Sequence, residues 1–198
     1  MSKKNNFILI ESFKYNNEHL VELQRFNKKG KLIEHKTQTQ LEKEWEELEK
    51  EDYEDNQDTR YFDENGRVFK HEHYVNGCLK CFVVHKFDKK GNHIAMLWYN
   101  TAGRLTSRLS YLTRNNRLFE EKCFGGNGHL CWTSRYVYNQ NGQVIEQNTY
   151  KEKLLFYKII TDYDENNRKI SRQKLIHKDY IQKWNMKTEE LGFMLDTR

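Results

Sequence analysis

The stretch Phe62-Asp63-Glu64-Asn65-Gly66-Arg67 sets a pattern that the chain then repeats: an aromatic, Asp or Asn, two mostly polar residues, Gly or Asn, then Arg, Asn or Gln. It returns as Phe87-Asp88-Lys89-Lys90-Gly91-Asn92, Tyr138-Asn139-Gln140-Asn141-Gly142-Gln143 and Tyr163-Asp164-Glu165-Asn166-Asn167-Arg168, with a degenerate copy opening at Tyr111. Successive aromatics stand 25, 24, 27 and 25 residues apart, a regularity that belongs to repeat architectures. A second set, Asn76-Gly77, Tyr99-Asn100-Thr101-Ala102-Gly103-Arg104 and Asn127-Gly128, falls about midway. Gly, Asn and Asp tolerate positive φ and make turns. The elementary unit is therefore a strand of about eight residues plus a turn, and one repeat is one hairpin. The fold class that follows is mainly β: an antiparallel meander of repeated hairpins with a period of about 25 residues.

The totals agree with a thin core. Of 198 residues, 36% are hydrophobic and 32% charged, against an ordinary charged share of about 25%. A sheet with one well-buried face and helices laid on it suits that composition. The hydrophobic material is aromatic-rich, with 12 Tyr, 11 Phe and 4 Trp, each ring burying roughly 150–250 Å². The apolar run Phe7 to Ile10 is shorter than a signal peptide needs, and nothing approaches a membrane-spanning length. A cytoplasmic protein with no membrane partner and free rather than disulfide-bonded cysteines is the expectation.

Outside the repeats the period changes. Phe7 to Tyr15 and His19 to Phe26 read as strands, and Lys31 to Thr37 as a third after the turn at Asn27 to Gly30. Thr39-Gln40-Leu41-Glu42 has the form of a capping box, and Leu41, Trp45 and Leu48 follow at helical spacing. An acidic helix from about Gln40 to Tyr53 and a loop from Glu54 to Thr59 are thus inserted before the main hairpin series. After Ile176, Tyr180, Trp184, Thr188, Leu191 and Leu195 predict a C-terminal helix that covers the sheet. One domain is expected, with strands over 1–38, the acidic helix and loop over 39–59, hairpin repeats over 60–176 and the terminal helix over 177–198.

Pairing Phe87 with Asn92, and Tyr99 with Arg104, places Ile94, Met96 and Trp98 on one face with Leu79, Val83, Leu105 and Leu109. That face is the expected core, joined by Leu130 and Leu155 at equivalent places. Lys80, Lys86, Arg104, Thr106, Arg108, Thr133 and Arg135 mark the opposite face, interrupted by Phe82, Val84, Ala95 and Leu97.

The motif resembles the YD repeat of Rhs-type and teneurin-type proteins, Tyr-Asp-x-x-Gly-Arg followed by an apolar residue. Phe62-Asp63-Glu64-Asn65-Gly66-Arg67-Val68 carries the likeness, with Tyr163-Asp164-Glu165-Asn166-Asn167-Arg168 beside it. It is also similar to the MORN-like variant repeats of small bacterial antitoxin-like proteins. The likeness covers Arg60 to Lys174, about 115 residues. It implies a bacterial protein from that neighbourhood, such as the immunity partner of a polymorphic toxin. Rhs proteins form large shells, which four or five hairpins cannot.

Candidate chemistry is sparse. Cys78 and Cys81, a Cys-x-x-Cys, project to opposite sides of a strand, so neither zinc nor redox use is expected of them or of Cys123 and Cys131. His71 and His73 share a strand face at a chelating spacing, but no third ligand of matching parity stands on the neighbouring strands, and His85 reads as a core-edge histidine. Phosphate-binding loops and nucleophile or zinc-protease motifs are absent. No enzyme activity, cofactor or metal is expected.

Charge is the remaining signal. The net charge is +5, yet Leu41 to Asp58 holds ten acids and two lysines, a local −8, which leaves +13 elsewhere. Glu42, Glu46, Glu47, Glu51 and Asp55 are the candidate partner-binding residues. A negative helix of this kind imitates phosphate toward a basic cleft and steers association. The expected function is an immunity protein that binds and blocks a cognate protein toxin, a nuclease being the fitting class. A non-enzymatic YD-repeat scaffold or carbohydrate/surface-binding module is the alternative. Nucleic-acid binding ranks third, because the basic residues are dispersed over many turns.

Overall fold

The computed structural model describes residues 7–16, 19–51 and 56–184, without the side chains at 45–51, 56 and 184. The chain is mainly β, an antiparallel meander. Its strands are β1 (Phe7–Asn16), β2 (His19–Phe26), β3 (Leu32–Thr37), β4 (Asn56–Phe62), β5 (Val68–Val75), β6 (Cys78–Phe87), β7 (His93–Asn100), β8 (Leu105–Arg114), β9 (Arg117–Gly125), β10 (Leu130–Tyr138), β11 (Val144–Lys151), β12 (Leu154–Tyr163) and β13 (Lys169–His177). Helix α1 (Gln38–Glu51) follows β3 and helix α2 (Lys178–Trp184) follows β13. Two compact units result, Met1–Trp45 with Tyr136–Arg198, and Glu46–Arg135. In the first, the strand order is β3-β2-β1-β13-β12-β11; in the second it descends from β10 to β4.

The repeated motif is a turn-making device. At Asp63 the carboxylate Oδ1 accepts from the amides of Asn65 and Arg67, both at 2.9 Å, while Oδ2 accepts from Arg67 Nε at 2.8 Å. Gly66 donates to the Asp63 carbonyl and takes φ +73°, a left-handed conformation that glycine reaches without a Cβ clash. Asp88 and Asp164 repeat the arrangement, receiving the amides of Lys90 and Asn92, and of Asn166 and Arg168. Asn27, Asn100 and Asn139 use an amide oxygen for the same task, and in the turn that opens at Gly125 the Asn127 amide oxygen accepts from the His129 amide instead. The acceptor at the second position, the small fifth residue and the long polar sixth residue are thus explained by one loop geometry.

These turns close one residue further in than a four-residue loop would. Asp88 exchanges its backbone bonds with Asn92 and Gly91, so Phe87 lies opposite His93 rather than Asn92. A bulge then follows, because Lys86 pairs with Ala95 and leaves Ile94 unmatched. The same slip follows the turns at Asn27, Asp63, Asn100 and Asp164, leaving Ile33, Phe69, Thr106 and Ile170 unmatched. Closure and bulge each shift the pairing by one, and two shifts restore parity. Val83, Met96, Trp98 and Leu109 accordingly share a face, as the sequence predicts. Leu79, Leu105 and Leu130 lie between turn and bulge and pair with Tyr74, Tyr99 and Phe124 on the opposite face, so they leave the expected core. Ile94 is 41% exposed for the same reason.

Three local expectations change. The degenerate copy at Tyr111 makes no turn there; β8 continues to Arg114, and Asn115 and Asn116, both left-handed, form the two-residue connection. The helix cap lies two residues earlier than Thr39, since Gln40 Oε1 accepts from the Thr37 amide at 2.9 Å, the reciprocal half of a Thr-x-x-Gln capping box. Residues 56–59, expected as loop, already belong to β4.

A hydrophobic cluster forms in the first unit, where Ile10, Phe156, Tyr157, Ile159, Ile176, Tyr180 and Ile181 are buried together, with Ile8 against them. Helix α2 supplies Tyr180, whose ring lies 4.3 Å from that of Phe156, and Lys183 reaches Glu152 in the β11–β12 turn at 3.0 Å. Each side chain so buried is worth roughly 1.5–3 kcal/mol. Strand β1 pairs along β13 from Phe7↔His177 to Lys14↔Ser171, which joins the beginning of the described chain to its last strand. In the second unit Val83, 2% exposed, is the one fully buried hydrophobic side chain among the described residues.

Candidate functional site

Helix α1 presents the acidic segment. Its first two turns are anchored by Leu41, which is buried, and by Lys36 on β3, whose Nζ lies 2.7 Å from Glu44 and 3.1 Å from Glu34. The bond to Glu44 raises the Lys36 ammonium above its ordinary pKa. Glu42 is exposed and accepts from Gln38 Nε2 at 2.8 Å. Glu46, Glu47 and Glu51 continue the helical backbone, with their side chains outside the described set. Asp55, Trp45 and Leu48 also fall there, Asp55 with its backbone. Of the five candidate residues, four therefore sit on one helix.

Register divides His71-Glu72-His73 between two faces of β5. Glu72 points to the side of Phe82 and is 8% exposed, with Tyr61 Oη at 2.7 Å, Tyr74 Oη at 2.8 Å and Lys70 Nζ at 2.6 Å. Lys70, and then the two phenols, hold its carboxyl down at about 2, well below the usual range. Lys70 also lies over the rings of Tyr61 and Phe82, and Phe82 stacks on Tyr99 with centroids 5.0 Å apart. Further along that face Arg108 covers Phe124, while Glu120 holds Lys122 and Arg135 at 2.7 and 2.9 Å. Much of its positive charge is thus engaged within the sheet.

On the other face, His73 Nδ1 meets Asp58 at 3.0 Å, and His71 belongs to a larger arrangement. His71 Nδ1 lies 3.2 Å from His85 Nε2, and His85 Nδ1 lies 3.2 Å from His93 Nε2. Three imidazoles on β5, β6 and β7 are so joined edge to edge. Phe87 and Tyr111 flank His93 with ring centroids at 5.2 and 4.9 Å. Sequence reasoning picks out His71 and His85 but misses His93, because the bulge at Ile94 turns it onto their face. Among the described residues no group of three metal-ligating side chains converges on one point. Cys78 is exposed and Cys81, Cys123 and Cys131 are half-buried, none of them in a disulfide. Cys78 and Cys81, expected on opposite sides of the strand, share a face because the bulge at Lys80 shifts the pairing.

No family model and no curated protein matches this chain. A solved structure of a protein of unknown function from Bacteroides fragilis is similar over 66% of this chain and 98% of its own, at 14% identity and a TM-score of 0.44. A GtfA/B complex bound to UDP and GlcNAc is similar over 70% of this chain and 27% of its own, at 14% identity and a TM-score of 0.24. No helix among the described residues is long and apolar enough to cross a membrane.

Proposed function

We propose that this chain is a cytoplasmic, non-enzymatic binding protein of the immunity class, which uses α1 to occupy the basic cleft of a cognate protein toxin, a nuclease being the class that fits. The observation that supports the reading is the placement of Glu42, Glu46, Glu47 and Glu51 on one helix anchored at its N-terminal end through Leu41 and Lys36. An acidic rod held at one end keeps its charges in a fixed spacing, so little ordering entropy is lost on binding. Long-range attraction raises the association rate and fades as salt screens it. The turn array supports a second reading, a scaffold of the YD-repeat kind, in which α1 is only a solvated connection.

Reversal of Glu46, Glu47 and Glu51 to lysine tests the choice. The triple variant should keep the circular dichroism of the parent and lose protection of cells against the partner. Purification of the tagged wild type from its native cell should recover one stoichiometric protein, whose association rate falls steeply with added salt. Recovery of nucleic acid, or full protection by the triple variant, removes α1 from the mechanism.

A further inference from the structure

The imidazole row on β5, β6 and β7 has a proton capacity fixed by counting. A neutral imidazole carries one N–H and one bare nitrogen; a charged one carries two N–H groups. His71, His85 and His93 hold two N···N bridges, each of 3.2 Å, and one such bridge accommodates a single hydrogen between its nitrogens. The outer nitrogens, His71 Nε2 and His93 Nδ1, take one hydrogen each. Four hydrogens therefore fill the row, and three neutral rings already bring three. One excess proton fits without moving any ring. A second forces two N–H groups to face each other across a bridge.

We propose that His71, His85 and His93 act as a one-proton store that ties three strands together and parts when a second proton arrives, making β5–β7 an acid-sensitive seam of the Glu46–Arg135 unit. The surroundings oppose the second proton. Val83, opposite His71, is buried, and Phe87 and Tyr111 cover His93. Arg60 stands across from His71 on β4, adding positive charge. Asp58 is engaged by His73 on the same face. Glu121 on β9 stands across from Tyr111 on β8. Burial, and for His85 the two neighbouring rings, push the pKa values of His85 and His93 below the ordinary 6.5. Groups lowered in this way stabilise the fold fully above that ordinary value, and the contribution is lost as pH falls below it toward their folded pKa values.

The test is a titration of the full chain labelled with nitrogen-15 at histidine, from about pH 8 to about pH 4, followed in parallel by hydrogen exchange at β5–β7 amides. His129, exposed in a turn, serves as internal reference. The expected result is one proton taken up jointly, with all three rings responding together, and a second taken up only with loss of amide protection in β5–β7. His85→Phe keeps a ring between the outer two but removes both bridges. In that variant His71 and His93 should titrate separately, and the joint step should vanish. Three independent titrations in the wild type, with β5–β7 protection unchanged to the acid limit, would overturn the proposal even if the variant failed to fold.

Discussion

The two compact units share the same hairpin, and the residue left unmatched after its turn is exposed in both, at Ile33 and Ile170 in one and at Phe69 and Ile94 in the other. The unit that contains α2 also buries residues that the pairing skips. In the unit that contains α2, the unmatched residues Ile10 on β1 and Phe156 on β12 turn into the cluster beneath the helix. In the Glu46–Arg135 unit, Phe69 and Ile94 occupy unmatched positions and stand 40% and 41% exposed. A residue that the pairing skips thus becomes core or surface according to whether something covers it. Turn chemistry sets the register in both units, while the helix adds apolar burial in one. In the other, ordered side chains lean on their cross-strand neighbours: the stacked Phe82 and Tyr99, the carboxylate of Glu72 among phenols, and the imidazole row.

The sharpest way to break this contrast is truncation at the two most buried aliphatics. Ile176→Ala, beneath α2 at 0% exposure, should cost about 3–4 kcal/mol, and Val83→Ala about 2 kcal/mol, because more methyl groups and a larger cavity are involved in the first. Denaturant melts combined with residue-resolved hydrogen exchange measure both. Equal losses would mean that the second unit has a core of the same quality.

Acid should separate the units next. A carboxyl held at about 2 in the fold, against an ordinary 4.5, stabilises above that ordinary value and loses its contribution as pH falls through the folded one. Amide protection around β4–β6 should therefore decline over this window. In Glu72→Gln that decline should be missing, from a lower starting level. A decline of the same depth in the variant would show that the phenol-bound carboxylate is not what the sheet relies on.

The smallest effect concerns the β11–β12 turn, where Glu152 and Lys153 hold φ values of 49° and 66° without being glycine. Lys153→Gly removes a Cβ from the left-handed region and should raise stability by about 0.5–1 kcal/mol, read as a shift in the melting midpoint. A loss instead would show that the side chain contributes more than its strain costs.

Much of this fold is legible in the sequence because its turns are chemically explicit. Asp63, Asp88, Asp164 and their asparagine equivalents announce where each strand ends, and the N-terminal strands and α1 are bounded by equally local signals. What escapes is whatever no local signal carries. The pairing of β1 with β13 joins distant segments, and no turn marks it. The bulges insert a residue without changing the alternation on either side, so Ile94 and Leu105 look like core residues until pairing is known. The cap is a near tie, since Thr37-x-x-Gln40 and Thr39-x-x-Glu42 both satisfy the pattern. Of the candidate site, the acidic helix is readable from charge and spacing. The imidazole row is not, because His93 reaches it only through the bulge.

The paired offsets of turn and bulge bear on how such a chain can change length. Each complete hairpin advances the alternation by an even step, so it hands the next strand the same inside and outside that it received. Duplication or deletion of a whole repeat would therefore leave every remaining side chain on its own face, whereas a one-residue insertion near a turn would exchange the faces of everything that pairs after it. On this geometry array length can change in whole repeats, and the positions beside a turn or bulge are the ones least tolerant of a single inserted residue.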